Sequence, residues 1–573
     1  MSSSARAHAF NKICRICEQT YYVDTTDLEF YSKVSPSFAN KRFIIPPPTL
    51  CPDCRVVLKL AYTNDLYLFH RVDSWSGKQI ISTYTPDTPF PVISRDTWEG
   101  DSWDPMQFGS EIDPKADFFL QWLKLRNLVP RPSREVIGCE NCEYSIKTYF
   151  SKNCYMTVGF NAEDCIYGLY TRDAKCSMDY YFLINSNECY ELINCSGCYE
   201  VFYSQYAANC SCSYLLFDCK SCRNCFGCVN LSNKQYCVFN EQLSEASYSE
   251  FIQNARLGSR ASIEQWRSKF TQFKSTLPKR SVLQELCEDS EGSNIKGLKN
   301  CVNCFDSDAL QSRFDDCKNV IMSAGAVKDC HDMFGTGDGT ELCYHCGPVA
   351  YLGQRMLFCV AVNNAYDVLF CDLCRHIKNC FGCIGLNKKE YCILNKQYTK
   401  NDYEQTVAAV ISKMQSSNTW GEFFPASFSP YPYNRSMAMF RYPLTREEAS
   451  RSDFNWSNYE PPPPEIAASS VELNIPDSIA DVTDDIIGKT IFCSQSGKPF
   501  KIISQELAFY RRHSLPVPNL HPDERRRERA ILVAPYKLFD RTCVDCGKTM
   551  KSGYSLDVEP RVLCYSCWID LLC

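Results

Sequence analysis

Cysteine returns about every twelve residues through two long stretches of this chain, and that interval limits the available folds more than any other feature. In the first stretch cysteines stand at 154, 165, 176, 189, 198, 210 and 222; in the second they stand at 304, 317, 330, 343, 359, 371 and 383, with companions at 301, 346, 374 and 380. A period near twelve is too short for helical repeats, which need about 33 residues or more. Between the cysteines the chain reads DCIYGLY, YYFLIN, ECYELIN and YEVFYSQY, aromatic and β-branched runs set between Asn, Asp, Gly and Ser. That composition belongs to short strands and turns. Strands at so fixed a period predict a β-solenoid, each coil stacked about 4.8 Å above the last with cysteine in a column. A thiol is small, apolar enough to bury and a weak donor, so a ladder of buried thiols explains the column. The competing explanation is a soft-metal or iron–sulfur site, because Cys195/Cys198, Cys219/Cys222/Cys225/Cys228 and Cys371/Cys374 have ligand spacing.

The two stretches end alike. NCFGCVNLSNKQYCVFN at 224–240 and NCFGCIGLNKKEYCILN at 379–395 are related by an offset of 155, which carries Cys225, Cys228 and Cys237 onto Cys380, Cys383 and Cys392. Each is followed by amphipathic segments, NEQLSEASYSEFIQNA and SIEQWRSKFTQFKSTL after the first and NKQYTKNDYEQTVAAVISKM after the second. These are expected to be helices capping an open strand edge. Residues 415–490 are rich in Pro, Ser and aromatics, with PPPP at 461–464, and read as a linker or belt.

The chain ends carry a different cysteine pattern. Cys14-x-x-Cys17 followed by Cys51-x-x-Cys54 is a paired-knuckle zinc signature, and so is Cys543-x-x-Cys546 with Cys564-x-x-Cys567. Each knuckle aims two thiolates at one tetrahedral ion. Four sulfurs leave no open position, so both sites read as structural Zn²⁺, two ions in all; pairs of buried thiols are the plainer alternative. The two ends also align. An offset of 470 lays residues 51–98 on 521–568, and an offset of 479 pairs Cys14 with Cys493. Each end is thus a tandem of two knuckle pairs with one pair intact. The other pair reads Asp73, Ser76, Ser94, Thr97 at the N-terminal end and Cys493, Ser496, His521, Glu524 at the C-terminal end. Cys493, His521 and Glu524 are all legal zinc ligands and form a candidate degenerate site, with simple loss of the metal as the alternative.

Composition narrows the function. The opening MSSSARAHAFNKIC has no apolar core of a signal peptide, and no run approaches the eighteen or so apolar residues of a membrane helix. The expectation is a cytoplasmic protein with reduced thiols and no membrane partner. A net charge of −6 gives no general pull toward nucleic acid. Arg511, Arg512, Arg525, Arg526, Arg527 and Arg529 could still form a local phosphate-binding patch, or else a helix laced with ion pairs. There is no G-x-S-x-G elbow, no G-x-x-x-x-G-K-[ST] phosphate loop and no HExxH. GTGDGT at 335–340 imitates a dinucleotide loop but lies inside the second array, as do His331 and His345.

The sequence resembles the cysteine-rich zinc-ribbon proteins of small-genome, candidate-phylum bacteria. The likeness rests on CPDCR at Cys51–Arg55, SGKQIISTYTPDTPF at Ser76–Phe90, both NCFGC…YC blocks, FFPASFSPYPYN at 423–434 and SGKPFKIISQELAFYRRHSLPVP at 496–518. Such relatives usually keep cysteines where this chain has Ser496, His521 and Glu524. Some carry a CaiB/BaiF (CoA-transferase-like) label, for which this chain offers no transferase motif. The resemblance implies zinc-stapled ends and brings no activity with it.

The expected architecture is mainly β with α segments: two cysteine-ladder β-solenoid arrays flanked by duplicated zinc-ribbon/treble-clef-like modules. The expected boundaries are an N-terminal module at 1–135, a first array at 136–240, a helical connector at 241–295, a second array at 296–396, a cap and Pro-rich linker at 397–490, and a C-terminal module at 491–573. The expected function is a non-catalytic zinc-binding scaffold with a protein partner. RNA binding is the first alternative and a metal-dependent or thiol-redox role the second.

Overall fold

The computed structural model describes residues 8–335, 338–348, 352–462 and 475–572. Half of the PPPP run and two residues of GTGDGT lie outside the described residues. The chain forms two compact units built from interleaved segments. One gathers 1–134, 282–459 and 536–538; the other gathers 135–281, 460–535 and 539–573. Each unit therefore holds one array and one end module, and they are paired crosswise in sequence: the N-terminal module belongs with the second array, most of the C-terminal module with the first.

The fold is mainly β. In the first array the strands Glu135–Ile137, Lys147–Tyr149, Val158–Phe160, Leu169–Arg172, Tyr181–Ile184 and Ile193–Ser196 pair in parallel in chain order. Tyr199–Phe202, Ser211–Tyr214, Arg223–Phe226 and Gln235–Val238 do the same in a second sheet. Further bridges run beside them at the same interval, such as Ile166 to Met178 to Tyr190 to Phe202. The second array repeats the arrangement from Gln284–Glu285 to Glu390–Ile393, so its parallel pairing begins within the stretch read from sequence as connector.

The finer rule is a period of three inside the period of twelve. Asp173, Cys176, Asp179, Phe182, Asn185, Glu188, Glu191 and Asn194 all have positive φ, so the backbone bends at every third residue. Such left-handed positions are unfavourable for Phe or Glu and persist only where the surroundings over-determine them. Here the N–H groups at and before each bend are held in the parallel ladder, as in Cys176 N–H to Glu163 O (2.9 Å) and Lys175 N–H to Ser186 O (3.1 Å). The residue after each bend pair turns inward. Ala174, Ser177, Tyr180, Leu183, Ser186, Cys189, Leu192, Cys195, Cys198 and Val201 are all buried. The interior is narrow: a Cβ on Gly168 would come within 1.9 Å of the Tyr180 ring.

This period explains why the core uses cysteine and serine. At several inward positions of the first array the residue's N–H takes its acceptor from the side chain one repeat earlier. Cys198 N–H donates to Ser186 Oγ (3.0 Å), Ala207 N–H to Cys195 Sγ (3.3 Å), Leu216 N–H to Ser204 Oγ (2.9 Å) and Cys225 N–H to Ser213 Oγ (3.0 Å). The thiols in turn donate to the carbonyl two residues back, as Cys195 Sγ does to Ile193 O (3.3 Å). A purely aliphatic core would leave these N–H groups buried and unmet.

Each array ends the same way. Gln235–Val238 takes an antiparallel partner at Glu241–Gln242, and Glu390–Ile393 takes one at Lys396–Gln397. Helices follow at Glu245–Asn254 and Arg260–Thr276 in one unit and at Lys400–Ser416 in the other, started by Ser244, Ser259 and Thr399 as N-caps. Their rings pack on the last strands: Phe226 lies 5.0 Å from Phe251 and 5.1 Å from Trp266, and Tyr391 lies 5.7 Å from Tyr403.

Candidate metal centres and the helices that carry them

Two groups of four cysteines each bring one sulfur per residue to within 4.8 Å of one another: Cys14, Cys17, Cys51 and Cys54, and Cys543, Cys546, Cys564 and Cys567. In the first, Cys14 and Cys17 sit on the turn after the His8–Ile13 strand, closed by Cys14 N–H to Gln19 O and Glu18 N–H to Cys14 O, both 3.0 Å. Cys51 is the N-cap of the Pro52–Ala61 helix, and Pro at the first helical position gives up an N–H that would have had no partner. Cys17 Sγ and Cys51 Sγ are 3.6 Å apart. Hydrogen bonding from the Cys54 thiol brings Cys51 down to about 5, while the same hydrogen bond, with burial, pushes Cys54 up. Thiols this close cannot all ionise unless a cation joins them.

The second group has the same local build. Cys543 N–H donates to Lys548 O (2.9 Å), Gly547 N–H donates to Cys543 O (3.1 Å), and Cys564 N–H donates to Cys543 Sγ (3.3 Å). Cys546 Sγ and Cys564 Sγ are 3.7 Å apart. Burial opposes ionisation of Cys543, but the N–H groups of Cys546, Cys564 and Asp545 outweigh it and bring the thiol down to about 6. The Val562–Leu563 strand before Cys564 pairs in parallel with Lys279–Arg280, which ties this knuckle to the end of the connector.

Among the described residues these are the groups of three or more His, Cys, Asp or Glu that could hold an ion. The other two knuckle pairs are held by hydrogen bonds. Asp73 repeats the backbone turn, with Asp73 N–H to Lys78 O (2.8 Å) and Gly77 N–H to Asp73 O (3.0 Å). Its carboxylate accepts from Trp75 N–H (2.7 Å), Ser76 N–H (3.0 Å) and, across the module, Ser94 N–H (2.8 Å). Ser94 Oγ and Thr97 Oγ1 meet at 2.8 Å. One carboxylate thus joins the two halves of this module. Cys493, His521 and Glu524 do not gather as a ligand set. Cys493 Sγ accepts from Ser496 N–H (3.5 Å), His521 Nδ1 caps its own helix through Asp523 N–H (3.0 Å), and Glu524 grips Arg527 (2.7 Å). His331 and His345 are buried against rings, and burial pushes both imidazoles down to about 3.

The array cysteines with ligand spacing have another origin. In Cys219, Cys222, Cys225 and Cys228, as in Cys195/Cys198 and Cys371/Cys374, a separation of three is the distance between neighbouring inward positions. Ser221, Asn224 and Gly227 are the bends between them.

The helix that leaves each first knuckle pair also drives a buried arginine into its array. Arg55, next to Cys54, donates from Nε to Asp332 Oδ1 (3.0 Å) and from NH1 to Leu50 O (2.5 Å). Burial would raise Asp332, but Arg55 and Lys59 outweigh it and hold the carboxyl at about 2. In the other unit Arg525, on the Pro522–Leu532 helix, pairs with Asp179 Oδ2, and Arg529 NH2 pairs with Asp179 Oδ1 (2.6 Å). Glu506 and Tyr510 complete the Arg525 pocket (3.3 and 3.1 Å). Asp332 and Asp179 both occupy bends, at φ 57 and 55. The remaining arginines singled out in the sequence are also paired: Arg511 with Asp484 (2.5 Å), Arg512 with Glu188 (3.1 Å), Arg526 with Asp523 (3.4 Å) and Arg527 with Glu524. Sequence reasoning did not find Asp332, Asp179 or Lys59. The available signal was an arginine right after the knuckle with a second cation four residues on, present at both ends.

No family model matches the chain, and no curated protein matches it. Among solved structures, one from Desulfovibrio desulfuricans G20 described as a "putative acetyltransferase" is similar over 40% of this chain and 64% of that chain, at 10% identity and a TM-score of 0.11. A likeness at that score carries no argument about fold or function. Among the described residues no helix is long and apolar enough to cross a membrane.

Proposed function

We propose that this protein is a zinc-stapled scaffold: two β-solenoid arrays, each gripped by a tandem zinc-ribbon module, presenting surfaces to a protein partner. The observation that carries the reading is the geometry of the two four-cysteine groups. A tetrahedral Zn²⁺ with Zn–S bonds of about 2.3 Å holds its sulfurs about 3.8 Å apart, and one sulfur pair in each group stands at 3.6 and 3.7 Å respectively. Bound there, zinc would neutralise the shared thiolate charge and fix the two knuckles to each other. Duplication of the modules is supported by the hairpins Phe69–Val72/Gln79–Ser82 and Phe539–Thr542/Thr549–Ser552, which share one register, and by the matched pairs Arg55/Lys59 and Arg525/Arg529. Coiling of the arrays is supported by parallel pairing at a fixed interval together with bends at every third residue. A protein partner is favoured over RNA because the candidate arginines already have acidic partners, while Ile13 and Tyr22 near one knuckle and Val544 and Tyr565 near the other are exposed apolar groups.

Elemental analysis of protein purified without added metal or chelator tests the proposal. Two zinc ions per chain are expected. Any iron, or three or more metals, would shift the reading to redox or catalytic chemistry, and salt-sensitive RNA binding would replace the protein partner.

A further inference from the structure

Three buried polar atoms in the unit that holds Arg55 have no hydrogen-bond partner among the described residues: Lys59 Nζ, Asp332 Oδ2 and His345 Nδ1. Their residues are 0%, 1% and 2% exposed. Lys59 stands one helical turn after Arg55, which bonds Asp332, and the parallel bridge of His331 to Tyr344 sets Asp332 beside His345, so the three belong to one cluster. Leaving an ammonium and a carboxylate oxygen buried and unmet is costly enough that such groups are rarely orphaned.

The other unit shows what is missing. There Asp179 has both oxygens engaged, Oδ2 by Arg525 and Oδ1 by Arg529, which stands four residues further along the helix. Asp332 has one oxygen engaged by Arg55, and the residue four further along is Lys59. A lysine ends in a compact ammonium where arginine extends a planar fork. The shorter group stops short of the second oxygen.

We propose that an ordered internal water molecule fills this gap, accepting from Lys59 Nζ and donating to Asp332 Oδ2 and His345 Nδ1. Three hydrogen bonds are the usual complement of a buried water. The roles also balance: the ammonium can only donate, the carboxylate oxygen can only accept, and a neutral imidazole with its proton on Nε2 accepts at Nδ1. Burial keeps His345 in that neutral form. The site holds without reference to metal, so it stands apart from the zinc reading.

A high-resolution crystal structure of the full chain tests it directly. One water within about 2.7–3.2 Å of all three atoms is expected. Lys59 folded straight onto Asp332, or an empty gap, would overturn the proposal. Two variants give a readout in solution. Lys59→Arg is expected to displace the water, form the direct pair seen at Arg529 and leave the melting temperature equal or higher. Lys59→Met keeps the chain length but removes the donor, and a fall of several degrees is expected. A rise with Lys59→Met would mean that Lys59 is an unsolvated charge, and the water site would be wrong.

Discussion

Asp179 and Asp332 are single residues on which the attachment of a module turns. Arg525→Ala would strip one of two arginines from a fully buried carboxylate, and a loss of about 3–5 kcal/mol in the stability of that unit is expected by chemical denaturation. Arg511→Ala, on an exposed pair, should change stability by no more than about 0.5 kcal/mol. The pH dependence has a definite sign. Asp332 is held at about 2 in the folded chain, below its ordinary value of 3.8. Its contribution is therefore fully present above pH 4 and is lost as pH falls toward 2. Hydrogen exchange of the 52–61 helix across that range would show the protection disappearing. At this scale the sequence was half legible. The arginines stand out beside the knuckles, but Asp332 and Asp179 are two among many Asp and Asn residues at bends, and nothing local marks which of them faces a helix.

The arrays behave as elements whose core is a hydrogen-bonding surface as much as an apolar one. Ser204→Ala removes the acceptor for Leu216 N–H and is expected to cost about 1–3 kcal/mol. At Cys195, which accepts from Ala207 N–H, Ser should be tolerated better than Val despite being more polar. Comparing the denaturation midpoints of Cys195→Ser and Cys195→Val checks this; a more stable Val variant would show that packing alone sets the core. The period of twelve and the terminal helices were readable because cysteine marks the first and amphipathic spacing the second. The period of three was not, since Cys, Ser, Ala, Leu and Tyr all serve at inward positions and Tyr, Phe and Glu occupy bends where Asn or Gly would have announced a turn. The same blind spot made Cys219 to Cys228 look like a ligand run.

For the whole molecule, the two four-cysteine groups do unequal work. Cys51 and Cys54 open the same helix that carries Arg55, so chelation should raise hydrogen exchange along 52–61. The 522–532 helix, whose Arg525 is anchored through Glu506 and Tyr510, should stay protected. Cys14→Ser and Cys564→Ser should each remove one zinc and loosen one module while both arrays persist, read as metal per chain and local exchange; loss of all structure from either change would contradict this independence. The crosswise pairing of modules and arrays also has a consequence in time. During synthesis Arg55 emerges 277 residues before Asp332, and Asp179 waits 346 residues for Arg525. At roughly 5–20 residues per second, each of these pairs waits many seconds for its second member. In the unit that holds Asp179 the array is made first, so Tyr190 and Phe202 wait for the rings of Tyr510 and His513 that later pack on them.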